Sequence, residues 1–461
     1  MNIESKQQIL DRRKEIEQEL EEMPKETGSD FSFNAGATLG PVNETNMTRI
    51  WNKHKQTNIP LKRKVFVGMS GGVDSSVAAY LLKKRGLDVV GVFLRCYNID
   101  GCAERDAEDA RRVAEKLKIP FYVWDFEKEY KERVVEYMVE GYRAGLTPNP
   151  DVACNREVKF GLFLDRALKL GADYVATGHY VRLRRGAEMR NEKGERSSPH
   201  ISSLTSHIYI AKDDNKDQSY FLWAVPQAKL KKCLFPIGGY LKPEVRAIAR
   251  KAGLPTAEKK DSQGICFLGK VTIADFLKSY IPAKKGVVLA TDGRVIGEHD
   301  GAWFYTIGQR HVGIKYQVSG VKAGADVPRR YVAAKNAKTN TLVVAEGAEH
   351  ESLYRKEICL AGLNFLAPKP KKPVTVYARV RYRQPLGKAV LRVRQTVRSL
   401  RPTKPVRSSK RSGSTSRTSS SSNIEQFELI FAKPQKFVAE GQSAVFYDRR
   451  GRMLGGGVII A

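Results

Sequence analysis

The chain has 461 residues, 41% of them hydrophobic, and carries 80 Lys and Arg against 50 Asp and Glu, a formal net charge of +30. That length accommodates two or three domains with separate cores, and the surplus of positive charge points to a polyanionic partner. No apolar run reaches the length of a membrane span, and the mixed-charge stretch Met1 to Glu22 resembles neither a signal nor a transit peptide, so a cytoplasmic chain without membrane contact is expected. Six cysteines at irregular spacing, with no Cys-x-x-Cys pair, suggest neither a disulfide framework nor an iron–sulfur or zinc-ribbon site; no resident metal ligands are assigned.

Residues 1–60 read as an N-terminal extension, one exposed charged helix followed by disorder. From 61 to about 182 strand and helix patterns alternate, with strands expected at Val65–Met69, Val89–Leu94, Phe121–Trp124 and Tyr174–Thr177. Such alternation implies a parallel sheet with right-handed crossovers, and ligands in such sheets sit at the carboxyl ends of the strands. The first strand runs into Gly68-Met69-Ser70-Gly71-Gly72-Val73-Asp74-Ser75-Ser76 and then into a helix, with Val77, Ala78, Leu81 and Leu82 at helical spacing and Gly86 as its closing residue. A strand, a glycine turn and a helix N-terminus form a cradle for anions. Val73-Asp74-Ser75 stands where a Walker loop needs Gly-Lys-Ser/Thr, so this cradle suits a pyrophosphate leaving group while chemistry takes place at the α-phosphate. Gly178-His179 follows a later strand and is expected to face the same crevice.

Between these strands lies Thr147-Pro148-Asn149-Pro150-Asp151-Val152-Ala153-Cys154-Asn155, followed by a helix with Phe160, Phe163, Leu164 and Ala167 on one face. This places Cys154 in a first helical turn, where the dipole favours thiolate. Asp151 either caps that helix or moves a proton near the thiol. From residue chemistry alone Cys154 is either such a reactive thiol or an inert, half-buried one. Residues 184–206 read as the long loop of a hairpin. The stretch 216–282 reads as helical, with a helix over Glu244–Lys251, and presents Cys266 beside Gly264 in an accessible loop. From 283 onward short alternating runs suggest a closed antiparallel barrel. Tyr377, Arg379, Arg381 and Arg383 fall on one strand face by period two, a surface for phosphates. The tract Thr396–Ser422, rich in Ser, Arg and Lys and free of acids, reads as a disordered basic insert.

Taken in order, SGGVDSS, TPNPDVACN, TGHY, KDQSYFL, DSQGICF, FYTIGQR, RVRYRQ and GQSAVFY resemble the bacterial tRNA-specific 2-thiouridylase family, over about Val65 to Ala461 but not over the loop 184–206 or the tract 396–422. SGGVDSS by itself resembles the loop of the ATP pyrophosphatases. The resemblance implies an α/β ATP-pyrophosphatase domain with a parallel sheet over 61–215, a small central helical domain over 216–282 and a C-terminal antiparallel β-barrel that binds tRNA over 283–461. It implies a sulfurtransferase that uses ATP and Mg²⁺ to adenylate O2 of the wobble uridine in tRNAs for Lys, Glu and Gln. Sulfur then arrives as a persulfide from a cysteine desulfurase or a relay protein, and AMP and pyrophosphate are released; a monomer is expected.

By the same resemblance, Gly68, Met69, Ser70, Gly71, Gly72, Val73, Asp74, Ser75, Leu94 and Gly178 contact ATP. Phe93-Leu94-Arg95-Cys96 stands where the family more often has Phe-Met-Lys-Asn. Asn149, Pro150 and Asp151 hold the target base, Cys154 is the nucleophile, and Cys266 carries the persulfide. His179, Lys216, Asp217, Gln218, Arg381, Tyr382 and Gln442 contact tRNA, while Cys96, Cys102, Cys233 and Cys359 match no functional position. An amide-forming synthetase would need an ammonia source, a 4-thiouridine synthetase a different RNA-binding architecture, and an idle tRNA-binding protein would not need both cysteines.

Overall fold

The structure is a computed structural model that describes residues 63–97, 101, 103–185, 206–261, 271–310, 315–316, 329–394 and 426–460. The expectations for the N-terminal extension, most of the loop 184–206, Cys266 and the tract 396–422 lie outside these residues.

The apolar run at Val65 to Val67 is fully buried and forms β1 (Lys64–Gly68). It sits in the middle of a five-stranded parallel sheet with β2 (Asp88–Arg95), β3 (Phe121–Asp125), β4 (Tyr174–Thr177) and β7 (Cys233–Leu234), in the order β3-β2-β1-β4-β7. A central strand buried on both faces takes a continuous hydrophobic run rather than an alternating one. Helix α1 (Val73–Lys84) follows β1, buries Val73, Val77, Ala78, Leu81 and Leu82, and ends before Gly86, whose φ of 81° closes it. Helix α2 (Ala103–Lys116) buries Ala110, Val113 and Ala114. The hairpin β5 (Arg182–Arg185) and β6 (Ser206–Tyr209) pairs antiparallel as expected.

The stretch expected to be a separate helical region contributes to this same layer. It supplies β7 to the sheet edge, and helix α4 (Lys242–Lys251) buries Val245 and Ala249 in one cluster with Val77, Leu81 and Leu254. Helix α3 (Pro150–Ala153) precedes it in the chain and continues as a wider, π-wound stretch, Cys154–Phe163, and then as Leu164–Lys169.

The strands beyond 283 divide into two bodies rather than one. The first is a five-stranded sheet of β8 (Gly286–Ala290), β9 (Val295–His299), β10 (Lys315–Tyr316), β11 (Arg330–Asn336) and β12 (Thr341–Glu346), ordered β10-β9-β8-β12-β11. Its β8–β12 pair is parallel, a pairing that alternation of apolar residues along single strands does not reveal. The second is a closed barrel, β13-β16-β15-β14-β17-β18, built from β13 (Tyr354–Phe365), β14 (Val374–Arg379), β15 (Gly387–Arg394), β16 (Gln426–Lys436), β17 (Ser443–Tyr447) and β18 (Met453–Ile460). Leu360, Val376, Leu391, Leu429 and Phe446 fill its interior.

Candidate active site

The cradle forms where β1 ends. The Ser70 amide donates to Ser75 Oγ at 3.1 Å, and the Ser75 and Ser76 hydroxyls donate back to the Gly72 carbonyl at 3.1 and 2.8 Å. These bonds fix the turn from inside. Gly71 has φ 69°, and a Cβ there would run into the Asp106 carbonyl of α2. No side chain caps α1 at Gly72, so the first-turn amides and the positive end of the dipole are available to an anion. Gly68 is in register with Val92 and Thr177, which brings Leu94 and Gly178 to the same carboxyl edge. Gly178 touches the cradle itself: a Cβ on it would lie 2.5 Å from the Ser75 amide nitrogen. The expected approach of Gly178 to Ser70–Ser76 is therefore observed.

Asp74 has partners that no local pattern announces. Both its oxygens accept from Lys242 Nζ, at 2.8 and 2.9 Å, across 168 positions of sequence, and Oδ1 also accepts from the Tyr180 hydroxyl at 2.8 Å. Burial and then the Asp74 carboxylate push Tyr180 up, which keeps its hydroxyl a donor.

The segment ahead of Cys154 is held from several sides. Asn149, not Asp151, caps α3: its side-chain oxygen accepts from the Val152 amide at 3.2 Å. Asp151 sits inside the first turn, and burial pushes its carboxyl up while the nearby Lys159 opposes that rise. The Thr147 amide donates to the Glu440 carbonyl at 2.7 Å, and Gln442 Nε2 donates to the Thr147 and Pro148 carbonyls at 2.9 and 3.3 Å. Thr147 Oγ1 lies 2.9 Å from Thr306 Oγ1, and Lys335 donates to the Leu146 and Tyr305 carbonyls. Cys154 itself is buried, 5% exposed. His179 packs between Phe160 and Phe235, 5.8 and 6.1 Å between ring centres, with Nδ1 2.7 Å from Thr177 Oγ1. Burial and then Lys159 hold this imidazole well below its usual pKa, in the neutral form. Phe163, on the same helix as Cys154, reaches to 3.6 Å of a Cβ built on Gly68. The helix that begins with Pro150 therefore lies against the same strand ends as the cradle.

The residues matched to tRNA contacts are placed unequally. Lys216 forms an ion pair with Asp261 at 2.7 Å, and Gln218 accepts from the Tyr180 amide at 2.9 Å. Asp217 is 2% exposed; it accepts from the Ala211 and Ser219 amides and the Ser219 hydroxyl, and pairs with Arg379 at 3.3 Å. Tyr382 packs on Phe221, 4.5 Å between centres, and Arg381 donates to the Ile307 carbonyl at 2.7 Å. The expected row of Tyr377, Arg379, Arg381 and Arg383 on one strand face is not observed. Strand β14 stops at Arg379, which turns inward to Asp217 because a buried carboxylate needs a counter-charge, and Arg383 takes a left-handed φ of 64°. Lys242, Tyr180 and Lys335 are the functional-site neighbours missed from sequence, and Arg379 is given the wrong partner by strand periodicity; each is joined to its partner only by the tertiary fold.

Comparison with known proteins is consistent across the chain. Family models match residues 63–270 (tRNA methyl transferase HUP domain), 274–346 (tRNA methyl transferase PRC-barrel domain) and 403–459 (aminomethyltransferase beta-barrel domain). The chain is 43% identical over 404 residues to the tRNA-specific 2-thiouridylase MnmA of Streptococcus thermophilus strain CNRZ 1066, covering 86% of this chain and 95% of that protein. The same enzyme of Streptococcus mutans serotype c is 43% identical over 404 residues, and that of Streptococcus pyogenes serotype M1 42% over 405, each with 86% and 95% coverage.

Proposed function

The chain belongs to the tRNA-specific 2-thiouridylase family, and from that premise we propose that it thiolates C2 of the wobble uridine of tRNAs for Lys, Glu and Gln, at the expense of ATP, in the cytoplasm and as a monomer. The observation that carries the reading is the closed phosphate cradle, with Gly178 against Ser75, next to the helix that bears Cys154. Activation by adenylation needs such a cradle; methyl transfer, the activity printed in the names of two family models, does not.

ATP is a substrate, and the amides of Ser70 to Ser75 receive its phosphates, with Leu94 and Gly178 beside them. The uridine O2 attacks the α-phosphorus and pyrophosphate leaves. Asn149, Pro150 and Asp151 hold the base. Asp151, whose raised pKa suits proton transfer, takes up or returns the proton at the reacting uridine. A Mg²⁺ ion fits as a passenger of the nucleotide: Asp74 is the cradle's carboxylate, and Lys242 neutralises it in the free protein. The terminal sulfur of a Cys266 persulfide, delivered by a cysteine desulfurase or a relay protein, attacks C2 and AMP departs. The Cys154 thiolate then attacks the Cys266 sulfur, which breaks the S–S bond, leaves sulfur on C2 and joins the two cysteines in a disulfide. An external thiol reductant resets the pair. Lys216, Gln218, Arg381, Tyr382 and Gln442 stand on the tRNA side, with His179 as a neutral contact and Asp217 holding the segment in place from within.

The test follows the sulfur and the adenylate separately. With ³⁵S-cysteine and a desulfurase, Cys266→Ser is expected to take up no label, and Cys154→Ser to take up label but form no 2-thiouridine. Both variants are expected to release pyrophosphate from ATP on addition of tRNA. Full thiolation by either variant, or ADP as the product, overturns the reading.

A further inference from the structure

The ion pair between Asp74 and Lys242 is one link in a longer row. Lys242 Nζ also lies 2.8 Å from Asp261 Oδ1, and Asp261 Oδ2 lies 2.7 Å from Lys216 Nζ. The row thus alternates in sign: Asp74, Lys242, Asp261, Lys216. It starts in the nucleotide cradle and ends on the segment matched to tRNA. Lys242 is 9% exposed, so its charge is committed to these carboxylates rather than to water. Two further ties make the row part of a closed circuit. The Lys242 backbone amide donates to Asp213 Oδ2 at 2.9 Å, and Asp213 Oδ1 receives the Asn215 and Lys216 amides. On the other side, Tyr180 binds Asp74 through its hydroxyl, while its backbone exchanges hydrogen bonds with Gln218: Tyr180 N to Gln218 Oε1 at 2.9 Å and Gln218 N to Tyr180 O at 3.0 Å. Arg246, one turn along α4, braces Asp261 at 2.7 Å. Burial works against ionisation of Asp261, yet the bonds from Lys216 and Lys242 outweigh it and hold its carboxyl at about 2.

An alternating row of charges has two ways to pair. In the free protein Asp74 pairs with Lys242, and Asp261 is shared between Lys242 and Lys216. A phosphate of RNA at the far end claims Lys216. Asp261 then holds Lys242 alone, and Asp74 is freed for the cation that accompanies ATP. Each ligand makes the other's pairing complete. We propose that Lys242 is a positioning residue that couples the two substrates, so that tRNA at Lys216 and magnesium nucleotide at Asp74 tighten each other's binding through the Asp74–Lys242–Asp261–Lys216 row. The proposal rests on the reading of Ser70–Ser75 as the ATP cradle and of Lys216 as a tRNA contact. Linkage makes the effect reciprocal, with one factor for both ligands.

The experiment measures binding without turnover, on the full chain, with unmodified tRNA and α,β-methylene ATP with Mg²⁺ as probes. In the wild-type protein the analogue is expected to tighten tRNA binding by roughly 5-fold or more, the low end of typical coupling, and tRNA to tighten the analogue by the same factor. Lys242→Met and Asp261→Asn are expected to bring that factor to unity, and Lys242→Arg to restore it. Asp261→Asn carries the test if Lys242→Met does not fold, as judged by its thermal transition. A purely structural role would weaken each ligand alone and leave the factor unchanged; that result, or the absence of coupling in the wild-type protein, overturns the proposal. Failure of the wild-type protein to bind the analogue, or tRNA affinity untouched by Lys216→Ala, instead removes the functional reading itself, and the proposal with it.

Discussion

The two halves of the crevice are built in different ways. The nucleotide side is assembled largely from consecutive residues: Ser70, Gly72, Ser75 and Ser76 bond to one another within a single turn. The base side is assembled from afar: Thr147 and Pro148 are fixed by Glu440 and Gln442 from the loop ahead of β17, by Thr306, and by Lys335 of β11. A local device survives as a sequence motif because its partners travel with it. A composite one leaves the contacts between its parts unmarked in any window of sequence, and its precision depends on the two β bodies being docked on the parallel-sheet layer.

The comparison breaks most sharply at the glycines. Gly178→Ala puts a methyl group 2.5 Å from the Ser75 amide and 2.7 Å from the Asp74 carbonyl carbon, backbone atoms that cannot swing aside. Overpacking of this kind costs about 1–3 kcal/mol, which is expected to appear as weaker ATP binding by roughly 5- to 150-fold. Affinity for tRNA in the absence of nucleotide is expected to stay as it was. Isothermal titration with each ligand separately checks this; equal losses for both would show that the cradle is not an independent unit.

The base side responds to a distant residue and more mildly. Gln442→Ala removes two hydrogen bonds to the Thr147 and Pro148 carbonyls without touching the cradle. The bond to Pro148 is long and contributes little, so at about 0.5–1.5 kcal/mol for the bond to Thr147 thiolation measured as kcat/KM is expected to fall several-fold, up to roughly 10-fold, with ATP affinity unchanged. A loss confined to ATP binding would contradict the division of labour.

The same division decides what could be read from the amino-acid sequence. The parallel sheet, the turn at Gly71 and the helix behind it follow from an apolar run, two glycines and apolar residues at helical spacing. The place of Cys154 near a helix start follows from Pro148 and Pro150; its near-complete burial comes from elements packed over it. Asn149 and Asp151 are both competent caps by chemistry, and only the turn geometry selects Asn149. Arg379 shows the limit of strand periodicity: alternation places it with Arg381 and Arg383, but the strand ends at Arg379 and a buried Asp217 draws it inward. Lys242 begins an ordinary Lys-Pro-Glu helix start, and nothing nearby in sequence tells that its ammonium neutralises the cradle.

Lys335 gives the finest test of the composite side. Its ammonium is enclosed by the Tyr142 ring, the Leu146 and Tyr305 carbonyls and the Thr147 hydroxyl, with Glu440 the facing acid. Burial lowers its pKa from 10.5 to about 8, against the pull of Glu440. The unfolded chain therefore keeps a proton that the folded chain releases from about pH 8 upward. Between about 8 and 10.5 the unfolded state binds more protons, so this group's contribution to stability rises with pH, is fully present above 10.5, and is lost as pH falls through about 8. Lys335→Met removes the titration. The mutant also loses the bonds to Tyr305 and Leu146, but that offset does not depend on pH. Urea midpoints at pH 7, 8.5 and 10 are expected to show the wild-type protein gaining on Lys335→Met as pH rises, with no change in the difference below pH 7. Parallel curves across the whole range would mean that the lysine is hydrated, and that the joint holding Thr147 is looser than its hydrogen bonds imply.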